Sequence, residues 1–90
     1  MNSYITKYEV SHILGIRMNQ LSENAPILTT VNSDAGLLQI AATELKDGKL
    51  DINIKRPLAH NKYYIVNSSK LKIPRDLIVL LEMLITQHNT

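Results

Sequence analysis

Ile5-Thr6-Lys7-Tyr8-Glu9-Val10-Ser11-His12-Ile13-Leu14-Gly15-Ile16-Arg17-Met18-Asn19-Gln20-Leu21-Ser22-Glu23-Asn24-Ala25-Pro26 decides how this chain is read. Thr6 followed three residues later by Glu9 has the form of a capping box, each side chain satisfying an orphan amide at a helix start. Ile5 and Val10 are spaced as the hydrophobic staple around that cap. Val10, Ile13, Leu14, Met18 and Leu21 then recur at helical steps and share one face. Pro26 keeps the helix from running far past Asn24. At roughly 100° per residue, Arg17 falls in the middle of the apolar stripe, with Gln20 and Asn24 on its flank. A guanidinium there either snorkels to water over its aliphatic stem or is buried against an acceptor, because an unpaired buried charge costs several kcal/mol. The acceptor can lie in this chain or in a partner.

Outward from that helix the signals are shorter. Ile27 to Asn32 is apolar and β-branched, but its length suits a tethered loop or a short extended piece. Ser33 and Asp34 are placed to cap a second helix, whose Leu37, Leu38, Ala41 and Leu45 share a face. Lys46-Asp47-Gly48 stops it, with glycine at the position that favours a left-handed conformation. Glu44 sits on the flank of that face. It is either a solvated partner for Lys46 or Lys49, or the ion-pair partner of Arg17 or of a basic group on another chain. Leu50, Ile52 and Ile54 alternate with Asp51, Asn53 and Lys55, the pattern of a half-buried strand. Ala59 to Lys62 reads as a turn, and Tyr63 to Val66 as the returning strand.

The C-terminal segment predicts one more helix, over 74–88. Pro74 suits its first turn, and Asp76 favours its positive end. Leu77 to Ile85 holds a single polar residue, Glu82, and falls well short of the roughly 20 residues that span a bilayer. Leu77, Leu80, Leu81 and Leu84 are expected to pack on this chain or a neighbour, with Ile78 and Ile85 meeting a second surface. Alternatively the whole segment lies back on the hairpin. The fold class is therefore α+β: two helices followed by a small antiparallel hairpin, plus a C-terminal helical extension. The divisions are an N-terminal arm at 1–5, a domain at 6–72 and the extension at 73–90.

Composition bounds the function. Ninety residues make one domain, burying about 60% of its unfolded surface. With no Trp, Phe or Cys, a core of Leu and Ile is thin, and a larger partner would add burial. The lack of cysteine excludes disulfides and thiolate metal sites and suits a reducing compartment. No basic-apolar-small leader opens the chain, so secretion is not expected. Net charge is +2. Lys46, Lys49, Lys55, Arg56 and Lys62 gather loosely around the hairpin, but Asp47 and Asp51 dilute them, and a nucleic-acid footprint calls for a denser stripe. His12, His60 and His88 lack ligand spacing. Gly15, Gly36 and Gly48 stand singly, so there is no phosphate loop. Ser68-Ser69 near Lys70 reads as loop rather than nucleophile. No catalytic residue, cofactor site or metal site is expected.

The Thr6–Pro26 motif resembles the omega-like small subunits of multisubunit DNA-directed RNA polymerases, a family with eukaryotic, archaeal and viral branches. The matching positions are Thr6, Tyr8, Glu9, Ile13, Leu14, Gly15, Arg17, Gln20, Leu21, Ser22 and Ala25, with Asn24 and Pro26 as in many eukaryotic members. His12 stands where the family usually has arginine, keeping a ring nitrogen donor without the permanent charge. Ile40-Ala41-Ala42-Thr43-Glu44-Leu45 is similar to the family's second helix, and Leu50 to Arg56 to its strand. There, Asp51 stands near the family's proline and Pro57 where tyrosine is common. The resemblance covers roughly Ile5 to Tyr64, and residues after Lys72 extend past the usual end of the family core.

The resemblance implies an omega-like fold and a non-catalytic subunit that clamps the largest polymerase subunit, mainly its C-terminal part, and promotes its assembly and stability. The interface positions it implies are Tyr8, His12, Ile13, Arg17, Gln20, Leu21, Asn24, Glu44 and Arg56, joined by Ile78 and Ile85 from the last helix. Arg17 would be buried against the larger subunit, so that Arg17→Ala would be felt in assembly more than in this chain's own helix. Membership of a multisubunit complex is implied, without sequence-specific nucleic-acid contact and without a membrane. The setting would be intracellular: cytoplasm and virion for a viral polymerase, cytoplasm for an archaeal one, nucleus for a eukaryotic one. The eukaryote-like Asn24-Ala25-Pro26 and the Asn- and Lys-tolerant composition lean toward a large DNA virus. The readings from other classes are a free-standing basic nucleic-acid-binding module and a helical protein-interaction adaptor docking through its last helix.

Overall fold

Thr6 caps as its spacing predicts. The Glu9 amide donates to Thr6 Oγ1 at 3.1 Å, and the Thr6 amide donates to Glu9 Oε1 at 3.0 Å. This is a computed structural model, and it describes residues 3–86. Helix α1 runs Lys7–Ser22. It closes when the Ala25 amide reaches the Gln20 carbonyl at 3.1 Å and the Asn24 amide reaches Leu21 at 3.0 Å. That pairing needs one residue in the left-handed region, and Asn24 takes it at φ 70°, a conformation asparagine tolerates better than most side chains. Pro26 then prevents any continuation.

Helix α2, Leu37–Lys46, begins later than the Ser33-Asp34 signal suggests. Its N-cap is Gly36, whose amide donates to Gln39 Oε1 at 2.9 Å. A short polar side chain caps only from the position bordering the helix, where it can reach the second or third amide. Ser33 and Asp34 are too far upstream and stay exposed in a turn. The far end stops as expected: Gly48 sits at φ 70°, with Lys49 N–H on the Glu44 carbonyl at 2.9 Å and Gly48 N–H on Leu45 at 3.1 Å.

Strands β1 (Asn53–Pro57) and β2 (Tyr63–Asn67) pair antiparallel, with Ile54 opposite Val66 and Arg56 opposite Tyr64. His60 and Asn61 both take positive φ, 61° and 62°, as in the primed turns whose twist matches a hairpin. Beyond β2, Ser68 is buried as a clasp. Its Oγ accepts from Ile52 N–H and donates to the Leu50 carbonyl, both at 2.9 Å. The residues before Thr6 are tied down as well. Ile5 N–H bonds the Lys72 carbonyl and Lys72 N–H bonds Ser3, each at 2.8 Å, and Ile5 is buried. Met1 and Asn2 of the expected arm lie outside the described residues.

Helix α3, Arg75–Thr86, packs along α2, which also packs against α1. Ala41 and Ala42 of α2 are wholly buried, and side chains this small let both neighbours approach closely. Leu77 and Leu81 are buried, and Leu84 and Ile85 pack against the same core. The last turn is pinned by Gln39 Nε2 donating to the Ile85 carbonyl at 3.3 Å. Leu80, expected on this chain or a neighbour, does not face this chain's core: it is 41% exposed, beside Val79 at 49% and Met83 at 63%. Of the two side chains expected to meet a second surface, Ile85 packs on this chain's own core and Ile78 is half-buried. A helix apolar nearly all round leaves its rotation to the shape of the helix it meets, and sequence periodicity cannot choose. Gln87 and His88 of the expected helix lie outside the described residues.

Candidate functional site

Two arginines are buried against carboxylates 27 and 47 residues away. Arg17 comes from the middle of α1's inward face and Glu44 from the facing side of α2. Arg17 Nε donates to Glu44 Oε1 at 2.6 Å and Nη2 to Oε2 at 2.9 Å, a two-pronged pair. Nη2 also reaches the Pro26 carbonyl at 2.7 Å, and Nη1 reaches Gln20 Oε1 at 3.1 Å. The Leu28 amide donates to Glu44 Oε2 at 2.8 Å. Glu44 is 0% exposed, and this network gives both charges partners while fastening the 26–28 loop to two helices. The planar guanidinium fork fits a carboxylate edge in a way lysine cannot.

Arg56 is the second. Leu50, Ile52, Ile54 and Arg56 are buried in strict alternation, so the arginine occupies the fourth inward position of the strand pattern. Its Nε and Nη2 each reach a Glu9 oxygen at 2.8 Å, and Nη2 also reaches the Tyr4 carbonyl at 2.8 Å. Glu9 therefore does more than cap α1: one carboxylate joins the helix start, the hairpin and the N-terminal segment.

The pairs shift the titrations of their members. Hydrogen bonds from Arg56 are the largest influence on Glu9 and hold it below the usual carboxylate range. For Glu44, burial pushes upward most strongly, but the Arg17 hydrogen bonds, the Leu28 amide and the Arg17 charge together outweigh it and leave it lowered. The carboxylates in turn raise Arg17 and Arg56. A carboxyl lowered on folding binds fewer protons folded than unfolded, so its stabilisation is full above the unfolded value near 4.3 and fades as pH falls through the folded value. The melting temperature should therefore be flat from neutrality to about pH 5 and fall below about pH 4.5. Thermal scans across that range check this, and Glu44→Gln should flatten the acid limb. A melting temperature that held down to pH 3 would refute the assignment.

The interface positions implied by resemblance divide in two. Ile13, Leu21, Arg17, Glu44 and Arg56 are buried within this chain, and Arg17 pairs with Glu44, the acceptor within the chain that the sequence left open beside a partner's. The reason is geometric: α2 covers the stripe that α1 presents. Tyr8, His12, Gln20 and Asn24 are exposed, with Tyr8 at 75%, although Gln20 supports Arg17 and Asn24 forms the helix stop. The Arg56–Glu9 pair is the connection sequence reasoning missed; the period-two pattern continued through residue 56 would have placed Arg56 on the inward face without naming its partner. Among the described residues no three His, Asp or Glu side chains gather as for a metal, and no helix is long and apolar enough to cross a membrane. A concavity of about 680 Å³ bounded by Met18, Val31, Leu38 and Leu84 has Asp34 as its one ionisable lining side chain among the described residues.

An α+β chain of two helices followed by an antiparallel hairpin, opened by this capped helix, has the element order that the resemblance implies. Comparison with known proteins supplies the relatives by name. Over 60 residues, 67% of this chain, it is 42% identical to the RPABC2 subunit of DNA-directed RNA polymerases I, II and III from Schizosaccharomyces pombe, covering 42% of that protein. The Dictyostelium discoideum rpabc2 subunit is also 42% identical over 60 residues, with 45% of it covered. The Saccharomyces cerevisiae RPABC2 subunit is 38% identical over 60 residues, with 39% covered. The chain thus spans less than half the length of these curated relatives. No protein-family model matches it. Over the matched 60 residues the chain is similar to these subunits of multisubunit DNA-directed RNA polymerases.

Proposed function

We propose that this chain is a non-catalytic subunit of a DNA-directed RNA polymerase, that it clamps the largest subunit, and that it promotes assembly and stability of the complex. The observation that carries this is the Thr6–Pro26 motif, together with a 42% match over 60 residues to a subunit of polymerases I, II and III. The proposed setting is intracellular, wherever that polymerase works. With Arg17 and Arg56 engaged internally, the proposed contact face is the outer side of α1, where Tyr8 and His12 are exposed. Gly15 supports this choice. It is exposed in mid-helix with nothing within 4 Å of a would-be Cβ, and a mid-helix glycine costs roughly 0.5–1 kcal/mol against alanine. No packing within this chain accounts for that cost, whereas close approach of a partner's backbone would.

Affinity capture of the tagged chain should bring down a polymerase largest subunit. Gly15→Leu should weaken that capture about tenfold or more while leaving the melting temperature level or higher, since leucine favours helix over glycine. Absence of any largest subunit from the captured material removes the proposal. A helical adaptor reading survives on one observation, the exposed Val79, Leu80 and Met83 on α3. Met83→Asp, and not deletion of a helix that forms part of the core, is the variant that would test it.

A further inference from the structure

Charge is distributed unevenly along this chain. Residues 52–75 hold six of the ten Lys and Arg residues and none of the eight acidic ones. Folding concentrates part of this excess on one surface. In the hairpin register Lys55 lies opposite Ile65 and Pro57 opposite Tyr63. All four point away from the core and are exposed. Leu58 and Lys62 extend the same face into the turn. Among the described residues neither Lys55 nor Lys62 has a carboxylate in ion-pair reach. The nearest acid in sequence, Asp51, sits at the opposite end of the hairpin, hydrogen-bonded to the Asn67 amide.

The apolar component of this face is aromatic. Lys55 Nζ stands 4.2 Å from the centroid of the Tyr63 ring, and Tyr63 is 54% exposed. The other two exposed tyrosines are built alike, with Lys72 at 6.0 Å from the Tyr4 ring and Lys7 at 5.2 Å from Tyr8. All three pairs lie around the Arg56–Glu9 contact. Tyr4 gives its carbonyl to Arg56, Tyr8 precedes Glu9 in the first turn of α1, and Tyr63 pairs with the residue after Arg56. A depression of about 340 Å³ is lined by Lys55, Pro57, Leu58, Asn61, Lys62 and Tyr63, within the range of small-ligand sites.

We propose that the outward face of the hairpin binds single-stranded nucleic acid without sequence preference. Lysines without carboxylate partners would neutralise successive phosphates, and Tyr63 would offer a ring on which a base stacks. This pairing of a cationic track with exposed aromatics is what single-strand binders share. Charge alone would suit an acidic protein segment equally well. The ammonium-over-tyrosine arrangement favours the nucleic acid, because bases carry a π-face and acidic side chains do not.

The test uses the 90-residue chain by itself, so it does not depend on the polymerase proposal. Fluorescence anisotropy of a labelled oligouridylate is followed from about 50 to 200 mM salt. The expected slope of log affinity against log salt is about −1.4, corresponding to two phosphates, met by Lys55 and Lys62, at about 0.7 each for a single strand. Lys55→Gln and Lys62→Gln should each reduce the slope by about 0.7. Tyr63→Ala should weaken binding about tenfold, as loss of one stacked base does. Tyr63→Leu, which keeps the apolar bulk at this exposed position, should do the same with an unchanged melting temperature. Lys46→Gln, beside α3, should change neither affinity nor slope. Absence of salt-dependent binding overturns the proposal. So does displacement of the RNA by polyglutamate at equal affinity with no effect of Tyr63→Leu, which would assign the face to an acidic protein.

Discussion

Arg17→Ala is expected to cost this chain about 3–5 kcal/mol, the penalty for stripping one partner from a buried ion pair. Glu44, 0% exposed, would keep its charge with no cation beside it, and the Pro26 carbonyl would lose a donor. Against a total of about 5–15 kcal/mol for an ordinary domain, that is a large fraction. At this size the melting temperature should fall by about 10–30 °C. The double variant Arg17→Met with Glu44→Leu separates burial of charge from loss of contact. Paired charges replaced by apolar side chains of similar volume are often neutral, so it should regain most of the loss. Recovery should stop short of complete, because the Leu28 amide would have no acceptor. Equal melting temperatures for wild type and Arg17→Ala would show that the pair does not hold the two helices together. With the expected loss of stability, an assembly defect of Arg17→Ala would follow from a loosened subunit, whereas equal melting temperatures would assign such a defect to a lost contact with a partner.

Leu81→Ala is the second large effect, about 2–5 kcal/mol. Leu81 is 0% exposed and lies where α3 meets α2, so its removal leaves a cavity that two helices joined at several points cannot easily close. Met83→Ala, two residues on and 63% exposed, should change stability by no more than about 0.5 kcal/mol. The contrast in urea or heat denaturation tests the rotation of α3 directly. Were Met83→Ala the damaging change, the helix would be turned the other way. The same placement makes α3 part of the folded core, and removing it would uncover the side of α2 that it packs against and not merely delete an appendage.

What the sequence revealed, and what it hid, follows from the range of each interaction. Thr6 with Glu9, Asn24 before Pro26, and Gly48 after Lys46 act within a few residues, so their signals survive in a linear string and the structure repeats them. The alternation from Leu50 to Ile54 and the turn at His60-Asn61 are legible for the same reason. The start of α2 misled because Ser33-Asp34 and Gly36 with Gln39 are both local signals, and position relative to the first helical amide decides between them. The partners of Arg17 and Arg56 lie 27 and 47 residues away. No local pattern encodes such a pairing, although an arginine on an apolar stripe and another at an inward strand position both announce that a carboxylate must exist. Leu80 was unreadable because Leu77 to Ile85 is apolar in nearly every direction. The resemblance fixed the family of the opening motif, but it could not tell which motif residues serve the fold and which face outward.

The bond between Ile5 and Lys72 has a consequence for how the chain comes into being. Joining positions so far apart requires a closure whose entropic cost precedes its reward. At a synthesis rate of about 5–20 residues per second, Ile5 waits several seconds after leaving the ribosome before its acceptor exists. Through the first part of that interval α1 can cap itself, but its apolar stripe has only part of its cover and Glu9 has no Arg56. A nascent chain in this state exposes the surface that holdase chaperones recognise, and the final latch closes only after the hairpin has been made.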